Sequence, residues 1–175
     1  DFMVNEHFRR DYWIKGARKL SVLEQAEALK QQKVVLIAPR DTIELKIKGA
    51  RGEASMNAAI YNPILDLLKN HEVTNIGVML DELGSKNINL EVLLEALLML
   101  ASLGVVELAQ HETKTTDIKR QSDKLNDHII QKARTSHEIA CLASPVSGGG
   151  IQLNRFEQLF VDALTQGKNN PQDLA

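Results

Sequence analysis

The sequence predicts an α+β chain, and three patterns carry that expectation. Two capping boxes, Ser21 with Glu24 and Asn154 with Glu157, each open an amphipathic stretch of helical period. Between them, three short helical segments lead into the apolar run VVELA. KVVLIAP and TIELKIKG read as strands, the second because Ile43, Leu45 and Ile47 alternate with Glu44, Lys46 and Lys48.

Taken in order, SVLEQAEALKQQ is the first helix, and Pro39 and Asp41 punctuate the turn between the two strands. GARGEAS reads as a loop or hinge. Asn62-Pro63 reads as an N-cap with Pro at the first helical position, opening ILDLLKNHE. Thr74 opens TNIGVMLDEL, which Gly84 closes. Asn89 caps LEVLLEALLMLASL, where Leu90, Leu93, Leu94, Leu97, Leu98 and Ala101 recur at helical spacing and Gly104 ends the run. Three short helices and a strand form the pattern of a winged helix-turn-helix. QHETKTTD reads as a polar linker into a long helix from about Ile118 to Thr135, with Leu125, Ile129, Ile130 and Ala133 on its apolar side. IACLASPVSGGGIQL reads as strand, Gly-rich turn and strand. RFEQLFVDALTQ is the last helix, closed by Gly167, and KNNPQDLA is a tail expected to fray.

Charge divides the chain into zones. Residues 1–53 hold eleven Lys/Arg against eight acids, residues 54–110 two against seven, and residues 111–175 eight of each, so the balances are +3, −5 and 0. The expected organisation follows these zones. Residues 1–53 form a linker segment whose helix and strands pack on the rest, residues 54–110 a helical winged-helix-like lobe, and residues 111–175 a C-terminal α/β lobe.

Composition and motif spacing exclude several function classes. The longest apolar run, LLEALLMLASLGVV, is interrupted by Glu95 and falls short of the ~20 residues a membrane span needs. Asp1-Phe2 leads into charged residues rather than an apolar signal core. A single cysteine, Cys141, fits a reducing compartment, so the expected location is cytoplasmic. The third helix of the winged-helix pattern offers Asn89, Glu91 and Glu95 and no basic residue, in a zone at −5. A duplex would repel that surface, so no nucleic-acid partner is expected. SPVSGGG lacks the Lys of a phosphate loop and lies between two strands rather than at a strand-to-helix turn. It reads as a hairpin turn, and no cofactor site is expected in this chain. The five histidines lack ligand spacing and read as surface residues, and no metal site is expected. Cys141, in an apolar run, reads as a buried structural thiol, and Ser144 and Ser147 lack the context of an activated serine. No catalytic residue emerges from these readings.

The opening DFMVNEHFRRDYWIKGARKLS is the unusual stretch. Four of the seven aromatics (Phe2, Phe8, Tyr12 and Trp13) fall in the first thirteen residues, among Arg9, Arg10, Lys15, Arg18 and Lys19. Planar rings beside guanidinium groups suit stacking and carboxylate binding. Phe8, Arg9, Arg10, Trp13, Lys15 and Arg18 are therefore the candidate contact residues for another domain or a substrate. The competing reading docks Phe8, Tyr12 and Trp13 into the core and leaves the charges in water. The chain also starts at Asp1, a residue that removal of an initiator Met seldom exposes, so it reads as the C-terminal part of a longer protein.

These residues carry a resemblance. DFMVNEHFRRDYWIKGARKLS, then EQAEAL, then ASPVSGGGIQLNRFEQLFVDAL resemble the predicted methyltransferase regulatory domain. That module follows the catalytic domain in a group of bacterial S-adenosylmethionine-dependent methyltransferases, including lysine methyltransferases that act on outer-membrane proteins. The resemblance runs over nearly the whole chain but contains no catalytic motif. It implies a non-catalytic role in regulation or substrate recognition, a methyltransferase domain joined in cis at the amino-terminal side, and a protein substrate. It also implies S-adenosylmethionine bound by the parent enzyme and not by this chain. The alternative is a free-standing interaction module that homodimerises through its Leu-rich third helix and has no enzymatic activity.

Overall fold

The structure, a computed structural model, describes residues 13–49 and 52–168. It is α+β, with six α-helices and three small antiparallel sheets among the described residues.

Helix α1 (Val22–Lys30) begins as its sequence requires. The Ser21 side chain accepts from the Glu24 amide while the Glu24 carboxylate accepts from the Ser21 amide at 2.9 Å. Strand β1 (Lys33–Leu36) follows, and after a short 3-10 turn strands β2 (Lys46–Gly49) and β3 (Gly52–Ser55) pair as a hairpin, Lys46 opposite Ser55 and Ile47 opposite Ala54. Most of GARGEAS is therefore strand rather than loop or hinge. The ladder continues past its end, where the Met56 amide donates to the Leu45 carbonyl at 2.9 Å.

Helix α2 (Ala58–Leu68) starts five residues before the expected first position, Pro63. Asn57 is the N-cap, its side chain accepting from the Ala59 amide at 3.0 Å, so Pro63 lies inside the helix. Pro63 there gives up one hydrogen bond to the Ala59 carbonyl. Asn62 instead accepts from Arg40 Nη2 at 2.9 Å, tying the helix to the preceding turn. Strand β4 (Thr74–Asn75) leads into helix α3 (Ile76–Leu83), and helix α4 (Leu90–Ser102) is capped by Asn89 as its sequence predicts. Strand β5 (Val106–Ala109) follows.

The strand order β4-β1-β5 puts the amino-terminal β1 at the centre of the sheet. In place of a wing hairpin after α4, β5 pairs with β1 and passes directly into the next helix. Opposed residues in antiparallel strands share a face. Leu36 opposite Val106 therefore turns to α2, α3 and α4, where Ile64, Leu65, Met79, Leu93 and Leu100 are fully buried. Val35 opposite Glu107 turns the other way.

On that second side lie helix α5 (Glu112–Ala133), strands β6 (Cys141–Ser144) and β7 (Gly149–Gln152), and helix α6 (Arg155–Thr165). The QHETKTTD linker is largely helical, because His111 caps α5 and accepts from the Thr113 amide at 3.5 Å. Ile129, Ile130 and Ala133 are buried as expected, whereas Leu125 is exposed. Asn126 completes the outer edge of β6, accepting from the Ala143 amide at 2.7 Å and donating to its carbonyl at 2.9 Å. The Asn154 and Glu157 box opens α6, which α5 holds through Arg134 to Asp162 and through Arg155 to the Ala133 carbonyl at 2.7 Å.

Candidate functional site

Phe8, Arg9 and Arg10 lie outside the described residues. Trp13, Lys15 and Arg18 lie within them, and the structure does not bring them into one site. Trp13 is 92% exposed and Ile14 lies beside it in solvent, so the reading that docks this ring into the core does not hold for Trp13. Lys15 is exposed and has no ion pair among the described residues. Arg18 has an internal partner instead. Its guanidinium donates to Glu24 Oε1 at 2.8 Å, and this contact, with the Ser21 amide and hydroxyl, holds the Glu24 carboxyl down at about 2. Arg18 thus supports the α1 cap.

The exposed surface around Trp13 continues along α1. Val22 and Leu23 are exposed, and no residue of the helix is fully buried. Only its carboxyl end is fixed, where the Ile76 amide donates to the Gln32 carbonyl at 2.9 Å and Gly77 allows α3 to approach the Lys30 carbonyl closely. The exposed apolar side chains are therefore Trp13, Ile14 and Leu20 in the segment before α1 and Val22 and Leu23 in its first turn. Across α1, an apolar groove of about 370 Å³ runs between Leu29, Leu94, Leu98 and Leu108. Leu98, expected on the apolar side of α4, is 70% exposed there. The helix buries Leu93 and Leu97 as expected and Ala96 and Leu100 with them, a face rotated away from Leu98 and Ala101.

A second site lies between the two sides of the fold, where a cleft of about 660 Å³ separates the β1–β5 face of the sheet from the β6–β7 hairpin. The hairpin is fastened there by the Gln110 amide, which donates to the Val146 carbonyl at 2.7 Å. Gly148 at φ 72° turns the hairpin, and the Gln110 side chain fills the space a Cβ would need. Val35, Ile37, Val73 and Ile151 form apolar walls, and His71, Glu107, Ser144 and Ser147 supply polar groups.

His71 is held in the left-handed region at φ 59°, uncommon outside glycine. Its Nδ1 is 2.8 Å from the Leu36 carbonyl, an oxygen that can only accept, so Nδ1 carries a hydrogen and donates it there. The Ser144 hydroxyl accepts from the Ser147 amide at 3.2 Å, while the buried Ser147 hydroxyl has no hydrogen-bond partner. A serine with no base bonded to it is not an activated nucleophile.

SPVSGGG forms the hairpin turn that its sequence predicts. A turn from strand to antiparallel strand offers no helix N-terminus for a cofactor phosphate or carboxylate, so these glycines do not fit an S-adenosylmethionine cradle. Cys141, expected to be buried, is exposed and free, because it lies opposite Gln152 at the open end of a two-stranded sheet whose strands are covered only in part. No group of three His, Cys, Asp or Glu suited to a metal occurs among the described residues. None of the described helices is long and apolar enough to cross a membrane. Sequence reasoning singled out neither the cleft nor His71 and Glu107, because the residues come from segments far apart in the chain and carry no motif.

The chain is 33% identical over 172 residues to the uncharacterized protein sll1526 of Synechocystis sp. (strain ATCC 27184 / PCC 6803 / Kazusa), an alignment covering 98% of this chain and 34% of that protein. The chain thus spans about a third of the length of the curated relative it matches. No family model matches the chain, and no solved structure matches it.

Proposed function

We propose that this chain is a non-catalytic regulatory or substrate-recognition domain of an S-adenosylmethionine-dependent methyltransferase, working on a catalytic domain joined to its amino-terminal side. The observation that carries the reading is the run of exposed apolar side chains, Trp13, Ile14 and Leu20 in the segment before α1 and Val22 and Leu23 in its first turn. Exposed apolar side chains gathered in one short stretch of sequence suit a contact surface for a partner. Its position beside the segment that resembles the interdomain join of such enzymes favours a domain in cis, and the far greater length of the cyanobacterial relative is consistent with one. Phe8, Arg9, Arg10, Trp13 and Lys15 are then the contact residues, and Arg18 shapes the helix that presents them. The cofactor belongs to the partner domain, and the substrate is a protein.

Trp13→Ala in the native-length protein tests this reading. Methyl transfer from S-adenosylmethionine falls, while the isolated chain carrying the same change keeps its thermal midpoint. Unchanged transfer kinetics would overturn the proposal. A second reading, a homodimer through α4, draws on the exposure of Leu98 and Leu108 on the apolar groove. Leu98→Glu would abolish a dimer seen by analytical ultracentrifugation, and a monomeric parent chain would remove this reading.

A further inference from the structure

We infer that the outer edge of β5 accepts an extended segment of a partner protein as an added strand, in which a basic residue stands between two apolar ones. The register of the sheet decides which groups that edge offers. The Ile37 amide donates to the Val105 carbonyl at 3.0 Å, so by the alternation of an antiparallel ladder Glu107 and Ala109 turn their amides and carbonyls to β1. Val106 and Leu108 turn theirs the other way, where β5 has no neighbouring strand. No hydrogen bond among the described residues meets those amides or carbonyls. Gln110, next in the same series, gives its amide to the Val146 carbonyl, so the open stretch is Val106 to Leu108.

The surface beneath this edge is apolar. Val106 and Leu108 line the groove of about 370 Å³ together with Leu94, Leu98 and Ala101 of α4. Leu98 is 70% exposed and Leu108 63%. Open sheet edges are ordinarily blunted by charges, by proline or by a covering element, and the groove side of this one is not. An added strand bonds its main chain to Val106 and Leu108, and the two side chains opposite them enter the groove. Main-chain bonds then supply affinity, and the groove selects apolar residues.

The residue between those two lies opposite Glu107, on the cleft side of the sheet. Glu107 has no ion pair among the described residues, because Lys33, diagonal to it on the same face, already sits 2.7 Å from Glu112 Oε1. Opposite charges facing across a strand pair stabilise it and like charges destabilise it, so the middle residue is Lys or Arg. The same rule disfavours β5 of a second copy. Antiparallel pairing about a twofold axis sets Glu107 against its own counterpart. The neighbouring registers set Leu108 against Gly104 or Val106 against Gln110, whose amides are already bonded to the Ala101 and Val146 carbonyls. This edge is separate from the surface of Trp13 to Leu23 and does not depend on an attached enzyme.

The test is amide NMR with hydrogen exchange on the full 175-residue chain, using the blocked peptide Thr-Val-Lys-Val-Thr. Saturable shifts at Val106 and Leu108 are expected, and exchange of those two amides should slow. Methylating both valine nitrogens of the peptide, which face the edge, should abolish binding. Thr-Val-Glu-Val-Thr should bind about three- to tenfold more weakly, the scale of exchanging a favourable for an unfavourable charge pair across strands. Glu107→Lys should reverse the order of the two peptides. Shifts that grow without saturating, full binding of the methylated peptide, or an unreversed order in a folded Glu107→Lys chain would each overturn the inference. A homodimer through α4 would occupy the same groove, and shifts at Val106 and Leu108 that follow chain concentration without peptide would overturn it in that chain's favour. The comparison of the peptides on the unsubstituted chain stands even if Glu107→Lys fails to fold.

Discussion

Glu24 illustrates how much of the amino-terminal region rests on single side chains. Its carboxyl is held at about 2 by the Arg18 guanidinium first and by the Ser21 amide and hydroxyl after it. A carboxyl with a depressed pKa contributes its stabilisation in full above the ordinary value of 4.5, and the contribution is lost as the pH falls toward 2. Hydrogen exchange in the first turn of α1 should therefore accelerate across that window. Arg18→Ala should move the Glu24 titration, followed by carboxyl-carbon NMR, up toward 4.5. At Gly148 the requirement is conformational. Gly148→Ala puts a Cβ at φ 72° and against Gln110, and should cost about 1–2 kcal/mol in urea unfolding. The caps were readable in the sequence because Ser, Asn and Glu recur at fixed offsets from the groups they satisfy. His71 was not readable, because its meaning depends on which carbonyl the fold brings near it.

At the scale of elements, the second side of the fold is held by a few polar contacts of unequal strength. Asn126 supplies the Ala143 amide and carbonyl with the partners that a neighbouring strand would otherwise provide. Asn126→Ala leaves both unmet and should cost about 1–3 kcal/mol by chemical denaturation. Arg134 and Asp162 make a close pair at 2.7 Å, but Arg134 is half exposed, and such pairs contribute about 0.2–1 kcal/mol. Arg155, donating to the last carbonyls of α5, should matter more, so Arg155→Ala should destabilise the protein further than Asp162→Asn does. The long helix α5 starts earlier than its polar first turns suggested, because a solvent-facing helix needs no apolar periodicity while it projects beyond the core. The Asn62-Pro63 pair misled for a related reason. Proline at a first helical position and proline inside a helix look alike in sequence, and Asn57 decided between them by capping the chain sooner. The β6–β7 hairpin and the capped helix after it were legible in full, since both are local.

The molecule as a whole is organised around β1, a four-residue strand whose two faces serve different halves of the chain. The helices of residues 58–102 cover one face, and the cleft and the hairpin lie against the other. The α+β class was legible because it follows from local periodicity. The central place of β1 was not, because pairing with β4 and β5 is non-local and short apolar runs do not name their neighbours. The exposed string from Trp13 to Leu23 is the feature the isolated chain leaves unmatched. Trp13 is the sole tryptophan, so its emission should be that of a solvated indole, freely quenched by acrylamide. The proposed arrangement joins a methyltransferase domain to this one. It is tested most directly by ultraviolet crosslinking of radiolabelled S-adenosylmethionine to protein immunoprecipitated from source cells with an antibody to this chain. Label is expected on a species larger than 19.5 kDa by at least one domain, about 20 kDa. An unlabelled band at 19.5 kDa alone would contradict it.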